Sequence, residues 1–204
     1  MRYRTLSLGL LQTNCHIVWD EAKQAVIIDP SAEAEKILAA VAEEGVTPLA
    51  ILLTHAHFDH IAAVPEVQAA LELPVYLHAA DEGIYASPRN CMPPYVPMPV
   101  PDLPATTRSL PELPATLLPE ILETPGHTPG GVTFYYRDSD LAFVGDSLFA
   151  GSVGRTDLPG GDWDQLMHAI RRTLMALPDE VCICPGHGPN STIGRERANN
   201  PYIQ

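Results

Sequence analysis

The chain has 204 residues and a formal net charge of −13. Its length suffices for one domain with a large core, and 46% apolar residues indicate a globular protein, so we expect residues 1–204 to form a single domain. The acidic balance disfavours nucleic-acid partners, because a phosphate backbone would be repelled. No apolar stretch is long enough to cross a membrane, and no signal peptide is recognisable. We therefore expect a cytoplasmic protein.

In the first part of the chain, strands and helices alternate. Apolar runs predict strands over residues 3–10, 14–20, 25–28, 49–53 and 74–78. Residues 12–14 are the expected turn between the first two strands, because asparagine suits turns. A helix is expected between Ser31 as its N-cap and Gly45 as its C-cap, and another over 63–72. Such alternation is typical of βαβ units in which helices cover a sheet.

Residues 88–119 are rich in proline, which blocks both helices and strand ladders. This composition predicts an ordered but irregular excursion over the surface. A segment of this length suits a lid or a pocket wall. A flexible insertion without a role explains the composition equally well, so both interpretations stay open at this point.

Regular structure is expected to return after the proline-rich segment. Strands are predicted over residues 120–123, 132–137, 141–144 and 180–184. A helix over 163–176 is expected to begin at Asp162, with Gln165 placed to complete a capping box. The residues expected on its buried face are Trp163, Leu166, Ile170 and Leu174.

The strongest signal in the chain is Thr54-His55-Ala56-His57-Phe58-Asp59-His60, which follows the predicted strand 49–53. Each imidazole needs a hydrogen-bond partner or a metal, and so many polar groups at one strand end are hard to explain as packing. His55 and His57 share a face if the strand continues, which leaves Asp59 and His60 to turn toward an adjacent position. Imidazole and carboxylate ligands suit zinc and iron. The pattern therefore predicts a metal site.

Further candidate ligands follow three other strands, namely His127, Asp146 and His187. Two of them lie in repeats of Pro-Gly-His, where proline and glycine stop the strand and let the backbone turn. Seven candidate ligands exceed the three that a catalytic zinc takes from protein, so the set fits two ions that share one carboxylate. Two ions roughly 3.5–4 Å apart can hold a bridging hydroxide and support hydrolysis without a protein nucleophile. The remaining histidines, His16, His78 and His168, are interpreted as structural.

The order H-x-H-x-D-H, then His, Asp and His, resembles the metallo-β-lactamase superfamily over nearly the whole chain. The resemblance implies an α/β fold, a four-layer αββα sandwich. It also implies that His55, His57 and His127 hold one metal and that Asp59, His60 and His187 hold the other. Asp146 would bridge the two ions, and Asp59 would also orient the attacking hydroxide. The implied cofactors are two divalent ions, with zinc favoured and iron or manganese as alternatives.

Within that superfamily, the stretches 54–60, 124–130 and 145–149 are most similar to the type II glyoxalases, the hydroxyacylglutathione hydrolases. The resemblance implies hydrolysis of a 2-hydroxyacyl thioester such as S-D-lactoylglutathione, in methylglyoxal detoxification. Those enzymes carry an additional helical domain that has no counterpart here, so the chain resembles a short, single-domain branch. Arg155 and Asp157 stand where that family has the lysine and tyrosine of its glutathione loop. Arg155 could bind a glycine carboxylate of glutathione, or pair with a neighbouring aspartate and hold the loop.

Three alternatives stay open. Gly154-Arg155-Thr156-Asp157 also resembles a stretch of the mono-iron persulfide dioxygenases of the same superfamily. Those enzymes need fewer ligands, so the full ligand set favours two metals and hydrolysis. A lactonase would share the metal set. A binding module with structural metals is disfavoured, because closed structural zinc sites are usually rich in cysteine.

Overall fold

Residues 1–88, 90 and 102–203 are described in a computed structural model of the chain. They divide into two units, Met1–Leu118 and Pro119–Gln204, and each unit contains one five-stranded sheet. The grouping of the whole chain into one domain stays a prediction. Over the described ranges, no helix combines the length and the apolar character that a membrane crossing requires.

The first unit contains a mixed sheet with the strands in chain order. Its strands are β1 (Arg2–Leu8), β2 (Thr13–Trp19), β3 (Gln24–Ile28), β4 (Thr47–Leu52) and β5 (Val75–Tyr76). Its α-helices are α1 (Ala34–Glu44), α2 (Phe58–Ile61), α3 (Val64–Leu71) and α4 (Glu82–Tyr85), with a 3₁₀ turn at Ala79–Asp81. β1, β2 and β3 are antiparallel, whereas β3, β4 and β5 are parallel and joined through helices. The predicted βαβ units are therefore present.

The core of the first unit is a layer of apolar side chains between its sheet and its helices. Ile17 on β2, Ile27 on β3 and Ile51 on β4 are fully buried together with Ile37 of α1 and Val67 of α3. Burying an aliphatic side chain of this size stabilises the fold by roughly 1.5–3 kcal/mol. Alternate residues of the strands supply this layer. Every residue of β2 is buried, so the side chains on both faces of this strand are covered.

Two local predictions in the first unit were wrong. The turn between β1 and β2 lies at residues 9–12 rather than 12–14, because Gly9 and Gln12 adopt positive φ angles of 67° and 52° while Thr13 already belongs to β2. Ser31 does not cap α1; its hydroxyl donates instead to the Thr13 carbonyl oxygen at 3.3 Å. The expected C-cap is confirmed, since Gly45 has a φ of 61° and its N–H bonds back to the helix.

The described end of the proline-rich segment, residues 102–118, is attached to the first unit. Thr107 bridges to Tyr76, and its backbone exchanges hydrogen bonds with Val75 and Leu77 at 2.8 and 3.1 Å. The Thr116 hydroxyl donates to Asp20 Oδ2 at 2.7 Å, and Leu117 is fully buried. This part of the segment is therefore an ordered excursion, whereas residues 89 and 91–101 lie outside the described residues.

The second unit contains another mixed sheet, in the order β12-β11-β8-β7-β6, and a separate hairpin. Its strands are β6 (Glu120–Glu123), β7 (Val132–Tyr136), β8 (Leu141–Gly145), β9 (Leu148–Phe149), β10 (Ser152–Val153), β11 (Cys182–Pro185) and β12 (Ser191–Thr192). Its α-helices are α5 (Trp163–Arg172) and α6 (Ile193–Asn199), with 3₁₀ turns at Arg137–Ser139 and Leu174–Ala176. β8 and β11 are parallel, and the other neighbours in this sheet are antiparallel.

Helix α5 packs on the sheet of the second unit. Asp162 accepts a hydrogen bond from the Gln165 N–H at 2.9 Å, which confirms the predicted N-cap. Leu166 and Ile170 are fully buried, as predicted. Trp163 was wrongly placed on the buried face: it is 45% exposed, and its ring meets Tyr202 edge to face. The first turn of α5 thus points this side chain away from the core.

Candidate metal centre

The first unit gathers the residues of the H-x-H-x-D-H motif around the end of β4. The strand ends at Leu52, and α2 begins directly after His57, so one turn of helix carries His60 back toward His55. The rings of His55 and His60 lie 4.1 Å apart between centroids, and those of His55 and His57 lie 4.9 Å apart. His60 Nε2 is 3.7 Å from Asp59 Oδ2. We call His55, His57, Asp59 and His60 the first-unit cluster.

Asp29, at the end of β3, is a site residue that the sequence analysis missed. Its Oδ2 accepts hydrogen bonds from His60 Nδ1 at 2.8 Å and from the Thr54 hydroxyl at 2.6 Å, and its Oδ1 accepts from the Thr54 N–H at 2.8 Å. An ionised carboxylate only accepts, so Nδ1 of His60 carries the proton and Nε2 presents a lone pair. This is the arrangement by which carboxylates orient histidine ligands of metals.

The loop that carries the first-unit cluster is fixed by buried and half-buried polar side chains. Asp81 accepts from the Ala56 N–H at 3.0 Å. Asn90 donates to the Ala56 carbonyl oxygen at 2.6 Å and accepts from the Phe58 N–H at 3.0 Å. Thr13 donates its hydroxyl to Asp59 Oδ2 at 2.8 Å. These bonds hold the loop in one conformation, and a loop ordered by the protein's own bonds lowers the ordering cost of binding.

In the second unit, His127 follows β6 through the sequence Pro-Gly. Gly126 has a φ of 125°, and a Cβ there would lie 2.2 Å from the backbone nitrogen of Leu166, so only glycine fits. His127 Nδ1 lies 2.7 Å from the carbonyl oxygen of Arg155. A carbonyl oxygen only accepts, so this bond also assigns the proton to Nδ1 and leaves Nε2 as the ligand atom.

Asp146 and His187 are delivered by two neighbouring parallel strands, β8 and β11. Gly186 donates its N–H to the Gly145 carbonyl oxygen at 2.9 Å, which aligns the two strand ends. Asp146 Oδ2 lies 3.6 Å from His127 Nε2 and 3.5 Å from His187 Nε2. One carboxylate oxygen thus faces two imidazole nitrogens at almost equal distances. We call His127, Asp146 and His187 the second-unit cluster.

Residues 146–155 form a hairpin, which we call the site hairpin. β9 and β10 pair within it, and Gly154 donates to the Ser147 carbonyl oxygen at 3.2 Å. A Cβ on Gly154 would lie 1.9 Å from the Asp146 carbonyl oxygen, so the two ends of the hairpin close too tightly for any side chain. The hairpin therefore begins at one candidate ligand, Asp146, and ends at Arg155, whose carbonyl oxygen holds another.

The side chain of Arg155 forms a bidentate ion pair with Asp157, at 2.7 and 2.6 Å. This is the loop-holding alternative that the sequence left open. The guanidinium lowers the pKa of the Asp157 carboxyl to about 2. Both side chains are well exposed, so a carboxylate ligand could compete with Asp157 for the guanidinium.

Histidines outside the two clusters have other surroundings. His16 is buried on β2, with Nδ1 at 2.9 Å from the Thr5 hydroxyl. His78 Nδ1 accepts from the Ala80 N–H at 3.3 Å at a 3₁₀ turn. His168 is exposed on α5. The structural interpretation of these three histidines stays a prediction.

The chemistry of both clusters suits divalent cations. In the first-unit cluster His60 Nε2 lies 3.7 Å from Asp59 Oδ2, and in the second-unit cluster Asp146 Oδ2 lies within 3.6 Å of two imidazole nitrogens. Imidazole with carboxylate is a donor set that zinc, iron and manganese accept, and both clusters have histidines whose Nδ1 is anchored by a second residue. The residues therefore fit metal ions.

Comparison with known proteins places these observations in one family. The family model of the metallo-β-lactamase superfamily matches residues 8–187. The chain is 39% identical over 209 residues to "Probable metallo-hydrolase YqgX" of Bacillus subtilis, covering all of this chain and 98% of that protein. It is 34% identical over 221 residues to hydroxyacylglutathione hydrolase GloC of Haemophilus influenzae, with the same coverage. The crystal structure of TTHA1623 in a di-iron-bound form superposes with a TM-score of 0.86 at 43% identity, over 98% of this chain and 99% of that one.

These similarities confirm the predicted fold class. The chain has the α/β metallo-β-lactamase fold, with the mixed sheets and helices described above. The match extends from the end of β1 to His187 and so includes all seven residues singled out from the sequence.

Proposed function

Because the chain belongs to the metallo-β-lactamase superfamily, we propose that it is a metal-dependent hydrolase whose two clusters together hold two divalent ions. In this proposal His55, His57 and His127 bind one ion, and Asp59, His60 and His187 bind the other, as the family pattern implies. Asp146 is the shared ligand. When bound, such ions act as Lewis acids and make ionised water available near neutral pH.

The observation that carries this proposal is the position of Asp146. Its Oδ2 lies 3.6 and 3.5 Å from the Nε2 atoms of two histidines that belong to different ions in the proposed assignment. A carboxylate oxygen in that position can serve both ions at once. The seven candidate ligands exceed the three that one catalytic zinc takes from protein, and this number supports the binuclear assignment.

We propose a 2-hydroxyacyl thioester of the S-D-lactoylglutathione type as the substrate. The similarity to a hydroxyacylglutathione hydrolase over the full length supports this class. Thiolate is a good leaving group, so the site needs no strong general acid. Asp59, whose Oδ2 is held by Thr13, would orient the attacking water. The proposed setting is methylglyoxal detoxification in the cytoplasm, with a small molecule as the partner rather than nucleic acid or membrane.

We propose zinc as the native metal, with iron as the alternative. The ligand set accepts both, and cellular supply decides between them. The similar protein TTHA1623 was solved in a di-iron-bound form, which supports the alternative. Metal content of the protein purified from its own cells distinguishes the two.

The test combines metal analysis with turnover of S-D-lactoylglutathione. We expect about two metals per chain and thioester hydrolysis. His187→Ala should lose metal and activity, whereas His168→Ala, an exposed histidine on α5, should keep both. One iron per chain, no hydrolysis, and oxygen uptake with glutathione persulfide would overturn the proposal in favour of a dioxygenase.

A further inference from the structure

A buried carboxylate outside the metal clusters connects the C-terminal helix α6 to the site hairpin. Glu196 is 1% exposed, and its two oxygens have different partners. Oε1 accepts from the Ser191 hydroxyl on β12. Oε2 accepts from the Gly151 N–H at 2.8 Å and from the Asn200 side-chain amide at 2.9 Å. Oε1 therefore connects α6 to the neighbouring strand β12, and Oε2 connects α6 to the site hairpin.

Asn200 strengthens the connection to the hairpin. It is fully buried, and its Nδ2 also donates to the Ser152 carbonyl oxygen at 3.0 Å. At the tip of the hairpin, Glu196 thus binds the Gly151 N–H and Asn200 binds the Ser152 carbonyl oxygen. Gly151 has a φ of 74°. Buried networks in which each member is satisfied hold one conformation, because breaking any bond leaves a polar group unpaired in a low dielectric.

The site hairpin contacts all three residues of the second-unit cluster. It begins at Asp146, its Arg155 carbonyl oxygen lies 2.7 Å from His127 Nδ1, and the Phe149 ring lies 6.3 Å from the His187 ring between centroids. At the open end of the hairpin, Gly154 packs directly against the Asp146 carbonyl oxygen. A displacement of its tip would therefore be transmitted to the carboxylate and to the orientation of the histidines.

We propose that Glu196 is a positioning residue of the metal site, acting together with Asn200 through the site hairpin. It touches no proposed ligand. Its carboxylate fixes the hairpin tip, and the hairpin in turn sets where Asp146 and the imidazole of His127 point. This inference rests on the proposed function for the identity of the site, although the link between Glu196 and the hairpin does not.

The two oxygens of Glu196 provide a matched control. Ser191→Ala removes the partner of Oε1 and leaves the hairpin link intact, whereas Glu196→Ala removes both. Glu196→Gln should retain the metal affinity of the wild type, because the glutamine carbonyl oxygen can still accept from Gly151 and Asn200 while its amide donates to the Ser191 hydroxyl. Asn200→Ala is a second test of the hairpin link that leaves the carboxylate in place, should Glu196→Ala fail to fold.

The first measurement is Co²⁺ binding, followed by the visible absorption of the ion. We expect Glu196→Ala and Asn200→Ala to weaken binding by about 10-fold or more and to change the spectrum, as removal of orienting groups does elsewhere. Ser191→Ala and Glu196→Gln should keep the affinity and spectrum of the wild type. Equal effects of Ser191→Ala and Glu196→Ala, or an unchanged spectrum in Asn200→Ala, would overturn the proposal.

The second measurement is hydrogen exchange of the Gly151 amide in metal-free protein, which needs no activity. Faster exchange is expected in Glu196→Ala and not in Ser191→Ala. If the wild-type protein bound no metal, the proposed function would fail, and exchange at Gly151 would still report on the hairpin link. Unaltered exchange in Glu196→Ala would refute that link even in an active hydrolase.

Discussion

Asp29 Oδ2 and His60 Nδ1 lie 2.8 Å apart, and both residues are buried. The two residues are 31 positions apart in the chain: Asp29 directly follows β3, and His60 lies in α2. The parallel pairing of β3 with β4 brings them together, because it places the ends of both strands at one edge of the sheet. The same carboxylate binds the backbone and side chain of Thr54, so it orients the histidine and the loop that carries it.

Asp29→Ala should therefore weaken metal binding at the first-unit cluster by about 10- to 100-fold, because His60 would lose the group that fixes its tautomer. The measurement is a competition titration of the purified variant against a metal chelator. Asp20→Ala is the control, since it removes another buried carboxylate of the first unit, whose bonds go to the Gln24 N–H and the Thr116 hydroxyl. Wild-type affinity in Asp29→Ala would contradict the assigned role.

Asp146→Ala should abolish turnover while leaving the fold largely intact, because the shared ligand of the two proposed ions is lost. Metal content should fall from about two ions per chain toward one. Circular dichroism and the unfolding midpoint check the fold, and metal analysis checks the stoichiometry. Activity close to that of the wild type would rule out the binuclear assignment.

Thr116→Val should raise the pKa of Asp20. The Thr116 hydroxyl is the main cause of the lowered pKa of this carboxyl, which normally titrates near 3.8. Because the pKa of Asp20 is lowered in the folded state, its bond to Thr116 stabilises the fold fully at pH values above the unfolded-state pKa near 3.8. This contribution is lost as the pH falls through the lower pKa of the folded state. Carboxyl ¹³C chemical shifts followed against pH give the pKa directly.

The same substitution should cost about 1 kcal/mol of unfolding free energy at neutral pH and less near pH 2, because protonation removes the charged acceptor. Denaturant titrations at both pH values test this. An equal loss at both would show that Thr116 acts through packing alone.

Gly154→Ala should destabilise the protein by about 1–3 kcal/mol, because the added methyl group has no space beside the Asp146 carbonyl oxygen. Metal affinity should fall as well, since the backbone of a proposed ligand must move. Gly83→Ala is the matched control: a Cβ there meets nothing within 4 Å, and the position is helical. Equal unfolding midpoints for the two variants would contradict the steric argument.

Arg155→Ala and Asp157→Asn should change KM for S-D-lactoylglutathione in opposite directions if Arg155 binds a substrate carboxylate. Removing the guanidinium should raise KM by about tenfold, the scale of one charge-assisted hydrogen bond, with kcat nearly constant. Asp157→Asn weakens the ion pair that holds the Arg155 guanidinium, and this variant should lower KM. A lactoyl thioester without a carboxylate is the control substrate, and equal KM changes with both substrates would contradict carboxylate binding.

The sequence predicted the parts of this fold that depend on local pattern. Apolar runs located the main strands, and Pro-Gly at 125–126 correctly marked a strand end followed by a backbone turn. The turn after β1 was misplaced because Leu10 and Leu11 resemble strand residues, although they are 77% and 43% exposed. Periodicity records apolar character and not whether the residue faces a core.

Long-range partners could not be predicted in the same way. The role of Asp29 depends on which strand lies beside β3, and that of Glu196 depends on a hairpin 45 positions away. Asp29 directly follows an apolar run, and Glu196 lies between Arg195 and Arg197 in a polar stretch that gives no sign of its burial. An aspartate ending a strand directly before a βαβ crossover was the one available signal for Asp29, since strand ends in such units converge.

The parallel pairing of β8 with β11 also constrains when the second-unit cluster can form during synthesis of the chain. Asp146 and His187 follow strands whose ends are about 40 positions apart in the chain. β11 therefore leaves the ribosome only after the whole of α5. Contacts of such sequence separation form late, because the intervening chain must first be ordered. A nascent chain that stops before β11 lacks His187 and cannot assemble the second-unit cluster, so this cluster forms only after β11 has been synthesised.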